Sequence, residues 1–157
     1  MIYCDMDGVL VDFDRGFRER FNCNPDDLPR PEMWEKILHT TDYWLNLPPK
    51  ADAFELIEYL QKFSFTILTG LPHHGFDKAN QEKRRWIEKY LGNDVKIICC
   101  LSKEKQNYLH AGDVLIDDFQ SNINRWENAG GIGILHLSAA QTIAALQQLF
   151  PCSTEKK

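Results

Sequence analysis

Asp5-Met6-Asp7-Gly8-Val9-Leu10 follows directly on the apolar run Ile2-Tyr3-Cys4, and the fold is decided by what this opening is. The run Ile2–Asp5 is apolar and too short for a helix, which predicts a buried strand. Four more runs share that character: Phe65–Thr69, Val95–Cys100, Asp113–Asp117 and Gly131–His136. The segments between them have helical periodicity. Ala51–Lys62 is predicted to bury Phe54, Leu56, Ile57 and Leu60 on one face, and Asp77–Leu91 to bury Trp86, Ile87, Tyr90 and Leu91 before a stop at Gly92. Phe119–Ala129 and Ala139–Leu149 complete the alternation, the first followed by Gly130 and the second by Phe150-Pro151. Strands alternating with helices pair in parallel through right-handed crossovers. The predicted architecture is a three-layer α/β domain spanning residues 1–157.

One segment breaks the pattern. From Phe13 to Pro49 come two helical pieces, Arg15–Phe21 and Glu32–Leu38, interrupted by Asn24-Pro25 and Pro29-Arg30-Pro31. This is too long for an ordinary connection. Insertions in α/β domains sit at the strand ends where ligands bind, so residues 13–49 are expected to form a small lid. Trp34, Tyr43 and Trp44 have an equally good alternative as a minor core of that excursion. The tail Ser153–Lys157 is expected to fray.

Composition narrows the function. At 157 residues, 43% hydrophobic and 26% charged, the chain matches soluble globular proteins and is long enough to fold without staples. No run approaches the ~18 apolar residues of a membrane span, and Met1 leads straight into Ile-Tyr-Cys-Asp, so no secretory leader is expected. The net charge of −5, from 18 Lys+Arg against 23 Asp+Glu, argues against gripping a nucleic acid polymer, which needs a basic face. A phosphorylated small molecule stays open, because a bound divalent cation reverses the local field. Five cysteines without a CxxC pair read as reduced thiols in a cytoplasmic protein.

The chemistry is written at the strand ends. Asp5 and Asp7 lie on the same side of an extended backbone and project into the crevice where parallel sheets bind ligands. Two fixed carboxylates call for a cation, and oxygen-only ligands suggest magnesium. An EF-hand fails on count, since its Gly and Glu positions hold Leu10 and Gly16. Thr69-Gly70 ends the second run with a hydroxyl and free N–H groups suited to phosphate. Asp117-Asp118 ends the fourth and suggests a metal site. Ser102-Lys103-Glu104-Lys105-Gln106 just ahead offers a lysine for a phosphate oxygen. Gly130-Gly131-Ile132-Gly133 lacks the third glycine of a dinucleotide fingerprint and reads as a turn into a strand.

The order Asp-x-Asp, Thr, Lys, Asp-Asp resembles that of the haloacid dehalogenase (HAD) superfamily, over nearly the whole chain. Receiver domains use similar residues in a different order. The resemblance implies a sheet of about five strands ordered 5-4-1-2-3 with a cap inserted after the first. A narrower resemblance is to the 5′(3′)-deoxyribonucleotidase family. It rests on Asp5-Met-Asp-Gly-Val-Leu-Val-Asp-Phe13, on Glu82-Lys-Arg-Arg-Trp86-Ile-Glu-Lys-Tyr90-Leu-Gly92 and on Leu115-Ile-Asp-Asp118. That family commonly has Thr-Ser where Thr69-Gly70 stands, a basic residue where Phe119 stands, and a longer lid in its animal members. The resemblance implies Asp5 as nucleophile and Asp7 as general acid/base. It also implies Mg2+ on Asp5, the Asp7 carbonyl and Asp118, with Asp117 in support. Thr69, Gly70 and a lysine would hold the phosphate; Lys105 is preferred, with Lys83 the rival. Phe13 matches a base-stacking Phe, and with Trp34 and Trp44 would form an aromatic slot. The expected substrate is a nucleoside monophosphate, deoxyribonucleotides favoured. A sugar phosphate, or a non-catalytic binding role on the same scaffold, are the alternatives, and a homodimer is left open.

Overall fold

The computed structural model describes residues 1–151; the tail expected to fray, Ser153–Lys157, lies outside them. Five strands form one parallel sheet: β1 (Ile2–Cys4), β2 (Phe65–Leu71), β3 (Ile97–Leu101), β4 (Val114–Asp117) and β5 (Ile132–Leu135). Their spatial order is β3-β2-β1-β4-β5, which is the expected 5-4-1-2-3 read from the opposite edge. The shortest strand is the central one: Cys4 pairs with Ile67 on one side and Ile116 on the other, so Asp5 emerges at the middle of the sheet.

Side-chain alternation on the strands divides the core. Ile2, Cys4, Ile67, Val114 and Ile116 face a large apolar cluster with α3 (Ala53–Leu60), α4 (Phe76–Leu91) and α6 (Ala139–Leu149). Tyr3, Leu68, Leu115 and Cys100 face the other way, against Ile123 and Trp126 of α5 (Gln120–Asn128). The three layers are therefore helices, sheet and helix. Gly131 admits Trp126 to the turn before β5: a Cβ there would meet the indole nitrogen at 2.2 Å. Among the described residues, no helix is long and apolar enough to cross a membrane.

Several expectations need adjusting. Phe54 is 47% exposed, not buried, because α3 buries Ala53, Leu56, Ile57 and Leu60, the i, i+3, i+4, i+7 stripe that begins one residue earlier. Phe54 instead packs on Tyr90, ring centroids 6.2 Å apart. β2 runs on to Leu71, past the expected end at Thr69. The lysine-bearing segment after β3 is a 3-10 helix, Ser102–Tyr108.

Between β1 and α3 the chain forms α1 (Phe13–Phe21), a 3-10 turn (Pro25–Asp27) and α2 (Arg30–Leu38). Asp12 caps α1 by accepting from Arg15 N, and Asn22 closes it in the left-handed region. Phe17, Met33, Ile37, Tyr43, Trp44 and Leu47 join the large core cluster, which fuses the insertion to the α4 side of the sheet.

Candidate active site

A crevice of about 1420 Å³ opens at the carboxyl ends of β1, β2 and β4, lined by Asp5, Asp7, Gly70, Lys105, Asp118 and the aromatics Phe13, Trp34 and Trp44. Its floor is made by neighbouring strand ends. Asp5 N donates to Ile116 O at 2.9 Å, which brings the Asp5 side chain beside Asp117. Lys105, 2% exposed, reaches in from the 3-10 helix. Its Nζ donates to Asp117 Oδ2 at 2.6 Å and forms an ion pair with Asp5 Oδ1 at 2.9 Å. The two acids raise the Lys105 ammonium well above its usual range against the opposing effect of burial. Burial pushes the Asp5 carboxyl up to about 7, with Asp117 and Asp7 acting in the same direction and Lys105 against it.

Asp117 and Asp118 have different surroundings. Asp117 is fully buried and both its oxygens are engaged: Oδ1 by Phe119 N at 2.9 Å, Oδ2 by Lys105 and by Asn122 Nδ2 at 2.9 Å. Asp118 is exposed to the crevice, its carboxyl pushed up to about 6 by partial desolvation and by Asp117. Its carboxylate lies against Gly8, which has φ +78; a Cβ at Gly8 would meet Asp118 Oδ2 at 1.9 Å. The glycine of Asp-x-Asp-Gly thus leaves room for the second acid of the Asp pair.

Asp7 stands on a tight loop in which Leu10 N and Val11 N both donate to Met6 O, at 2.8 and 2.9 Å. Asp7 Oδ2 accepts from Lys83 Nζ, while the buried Oδ1 has no hydrogen-bond partner. Lys83, on α4, is wholly buried and donates also to Thr69 Oγ1 at 3.0 Å and Gly70 O at 2.7 Å. Its Nζ sits 4.5 Å from the Trp44 ring centroid. So both candidate lysines enter the site, Lys105 on Asp5 and Asp117, Lys83 on Asp7, Thr69 and Gly70. Lys103 is exposed at the crevice edge.

The three aromatics assemble: Phe13 lies 6.5 Å from Trp34 and 5.9 Å from Trp44, ring centroid to centroid. Trp44 is 3% exposed and Tyr43 equally so, so these two serve the insertion's core, while Phe13 and Trp34 are half-buried at the crevice. Three participants escape sequence reasoning. Asn122 orients Asp117 from the first turn of α5. Lys50 donates to Gly8 O at 3.2 Å. Glu82 is a buried acid on α4. Glu82 stands beside Lys83 within the motif helix, a signal that could have found it; Lys50, after Pro48-Pro49, reads like any surface lysine.

The residues present fit a hard cation. One carboxylate oxygen each from Asp5, Asp117 and Asp118 lies within 4.8 Å of the others. Among the described residues, four acids, Asp5, Asp7, Asp117 and Asp118, face two buried ammonium groups, Lys83 and Lys105, an excess that an oxygen-liganded divalent ion would neutralise.

No protein-family model matches the chain. It is 34% identical over 131 residues to the protein named "Putative 5′(3′)-deoxyribonucleotidase" of Vibrio phage KVP40, with 78% of this chain and 68% of that protein covered. It is 28% identical over 141 residues to the mitochondrial 5′(3′)-deoxyribonucleotidase of Mus musculus, with 74% of this chain and 63% of the mouse protein covered. The chain thus spans a little under two thirds of the mouse relative. Among solved structures, a HAD-superfamily hydrolase from Ehrlichia chaffeensis superimposes with a TM-score of 0.57 at 17% identity, covering 94% of this chain and 96% of that one. That is a likeness of fold.

Proposed function

Since the chain belongs to the 5′(3′)-deoxyribonucleotidase family, we propose that it is a magnesium-dependent phosphatase of nucleoside monophosphates, with deoxyribonucleotides favoured. The observation that carries this reading is the convergence of Asp5, Asp7, Lys83 and Lys105 at the foot of an aromatic-lined crevice. In it, residues 13–49 serve as a lid on one cytoplasmic domain, and the partner is a small phosphate ester.

The chemistry proposed for each residue is the one the family resemblance implies, and its surroundings support it. Asp5, at the centre of the sheet, attacks phosphorus; the bond to the ester oxygen breaks and the phosphoryl group passes to Asp5 as an aspartyl phosphate. Asp7 gives a proton to the departing alcohol, then takes one from the water that attacks the aspartyl phosphate, releasing inorganic phosphate and restoring Asp5. Lys83 holds Oδ2 and so fixes the direction of the carboxyl for this exchange. Thr69, the Gly70 N–H and Lys105 hold the phosphoryl oxygens, while Lys83, its three N–H bonds engaged, orients Asp7 and Thr69. Asp5, Asp118 and the Asp7 main-chain carbonyl would hold magnesium. The ion would supply the neutralisation that lets a carboxylate approach a phosphate dianion. Asp117, with both oxygens already engaged, supports the site through Lys105 and Asn122. Phe13 and Trp34 offer stacking faces to a base.

The test is phosphate release from a panel of matched deoxy and ribo monophosphates, sugar phosphates and an aryl phosphate, with and without a chelator. Deoxyribonucleotides should be preferred, chelation should abolish turnover, magnesium should restore it, and calcium should substitute poorly because of its larger, more flexible shell. Preference for sugar phosphates, or full activity in excess chelator, would overturn the reading.

A further inference from the structure

Helix α4 grips the last stretch of the insertion almost entirely through backbone groups. Lys78, Glu82 and Trp86 are spaced i, i+4, i+8 and so lie on one helical face. Lys78 Nζ donates to Leu38 O at 2.9 Å and to Thr40 O. Glu82 accepts from Asp42 N at 3.1 Å through Oε1 and from Trp44 N at 3.0 Å through Oε2. Trp86 Nε1 donates to Leu47 O at 2.9 Å. Arg85 adds one side-chain contact, to Asp42 Oδ1 at 2.8 Å, at an exposed position. Residues 38–47 are thus laid along the helix in register.

Glu82 is the buried member whose neighbour in sequence is Lys83. Trp44 is consequently held twice, its amide by Glu82 and its ring against the Lys83 ammonium. Lys83 spends its three N–H bonds on Asp7, Thr69 and Gly70, in a pocket that the Trp44 ring closes. We infer that Glu82 is a positioning residue: by fixing the 42–44 backbone it keeps the Trp44 ring over Lys83, and so keeps Lys83 dry and aimed at Asp7. A carboxylate suits the task, having two acceptors for two converging N–H groups. A glutamine offers one acceptor and turns its NH2 toward the second donor. A water-filled gap at Trp44 would weaken the Lys83–Asp7 pair, because the low dielectric around it is what makes the contact strong.

The inference rests on the phosphatase reading only for its activity arm, so the experiment has two further arms. In Glu82→Gln, amide hydrogen exchange at Asp42 and Trp44 should accelerate at least about tenfold, and the slowly exchanging Lys83 ammonium signal in NMR should be lost. The Lys105 ammonium signal, from the far side of the site, should persist. In the activity arm, hydrolysis of an alkyl ester, whose alcohol must be protonated, should fall about tenfold further than hydrolysis of an aryl phosphate, whose leaving group needs less help. Glu82→Asp, which keeps both oxygens on a shorter stem, should recover part of each loss. Trp44→Leu keeps the backbone bond and removes the ring, so it should lose the Lys83 signal while the residue-44 amide stays protected. It also decides the matter should the Glu82 variants fail to fold. Unchanged Lys83 protection in folded Glu82→Gln or in Trp44→Leu overturns the inference, as does an unchanged alkyl-to-aryl ratio in an active Glu82→Gln. If the wild-type protein hydrolyses neither ester, the phosphatase reading has failed, and the two exchange arms still decide the role of Glu82.

Discussion

The two buried lysines do superficially similar things on opposite sides of one crevice, and they are built in different ways. Lys105 stands between Asp5 and Asp117, contacts that come from adjacent strands and a short 3-10 helix. Both of its acids are themselves buried. Lys83 stands on Asp7, whose side chain is 28% exposed, and its surroundings are completed by the insertion through Trp44. The sheet floor holds its charges by topology, whereas the α4 wall holds them by packing on a segment that other folds of this class need not share.

The sharpest test of the floor is its acid. Asp5→Asn should lower phosphate release by at least about 1,000-fold with an unchanged circular dichroism spectrum; wild-type-like release would remove Asp5 from the chemistry. Asp7→Asn should be comparably slow, and intact-protein mass spectrometry should find a phosphoryl group retained on the enzyme, since the second step lacks its base.

Stability separates the two lysines next. Lys105→Met strands two buried carboxylates and should cost about 3–5 kcal/mol in urea denaturation. Lys83→Met leaves Asp7 able to reach water and should cost less, about 1–3 kcal/mol. Equal or reversed losses would break the contrast between floor and wall. In the insertion that packs on the wall, Phe13→Ala should lower kcat/KM for nucleotides by about five- to hundredfold and for an aryl phosphate by less.

Much of this was legible beforehand, and the reason is local. Asp5, Thr69 and Asp117 lie at or near the ends of short apolar runs, and a parallel sheet brings those ends together whatever the helices do. Asp7 and Gly8 are fixed within a few residues of Asp5. The helix Ala139–Leu149 has the expected bounds because Ser138 caps it, accepting from Gln141 N at 3.3 Å. Phe54 departs from its expected burial because an alanine one position earlier carries the stripe, and small residues mark a buried face weakly. The division of labour between Lys83 and Lys105 was not legible at all. It depends on contacts between residues 76 apart, Lys83 to Asp7, and on Trp44 and Glu82 meeting across 38 positions. Spacing along a chain carries no signal of such pairs.

The smallest expected effect concerns the floor's outer margin. His136, at the end of β5, is buried with Nδ1 2.8 Å from Thr142 Oγ1. Burial, aided by the Lys50 ammonium and opposed by Asp52, holds it below its ordinary value of 6.5. The unfolded chain therefore takes up a proton there before the folded one does, so stability should fall as pH drops below about 6.5 and level off below the depressed folded value. His136→Gln should flatten that part of a melting-temperature profile; an identical slope would show that the loss arises elsewhere.

The grip of α4 on residues 38–47 reads carbonyls and amides, with Arg85 to Asp42 the exposed exception. Such an attachment fixes the track of the main chain, while the side chains of Tyr43, Trp44 and Leu47 anchor that track in the core. The chain between α1 and α2, where Cys23 and Leu28 pack on the core, has room to vary only at positions outside those contacts and where it returns to the same track. Asn22, in the left-handed turn at the end of α1, marks where foreign sequence could be spliced in. A scaffold that clasps an insertion by its main chain can try out new covers for an old reaction one loop at a time.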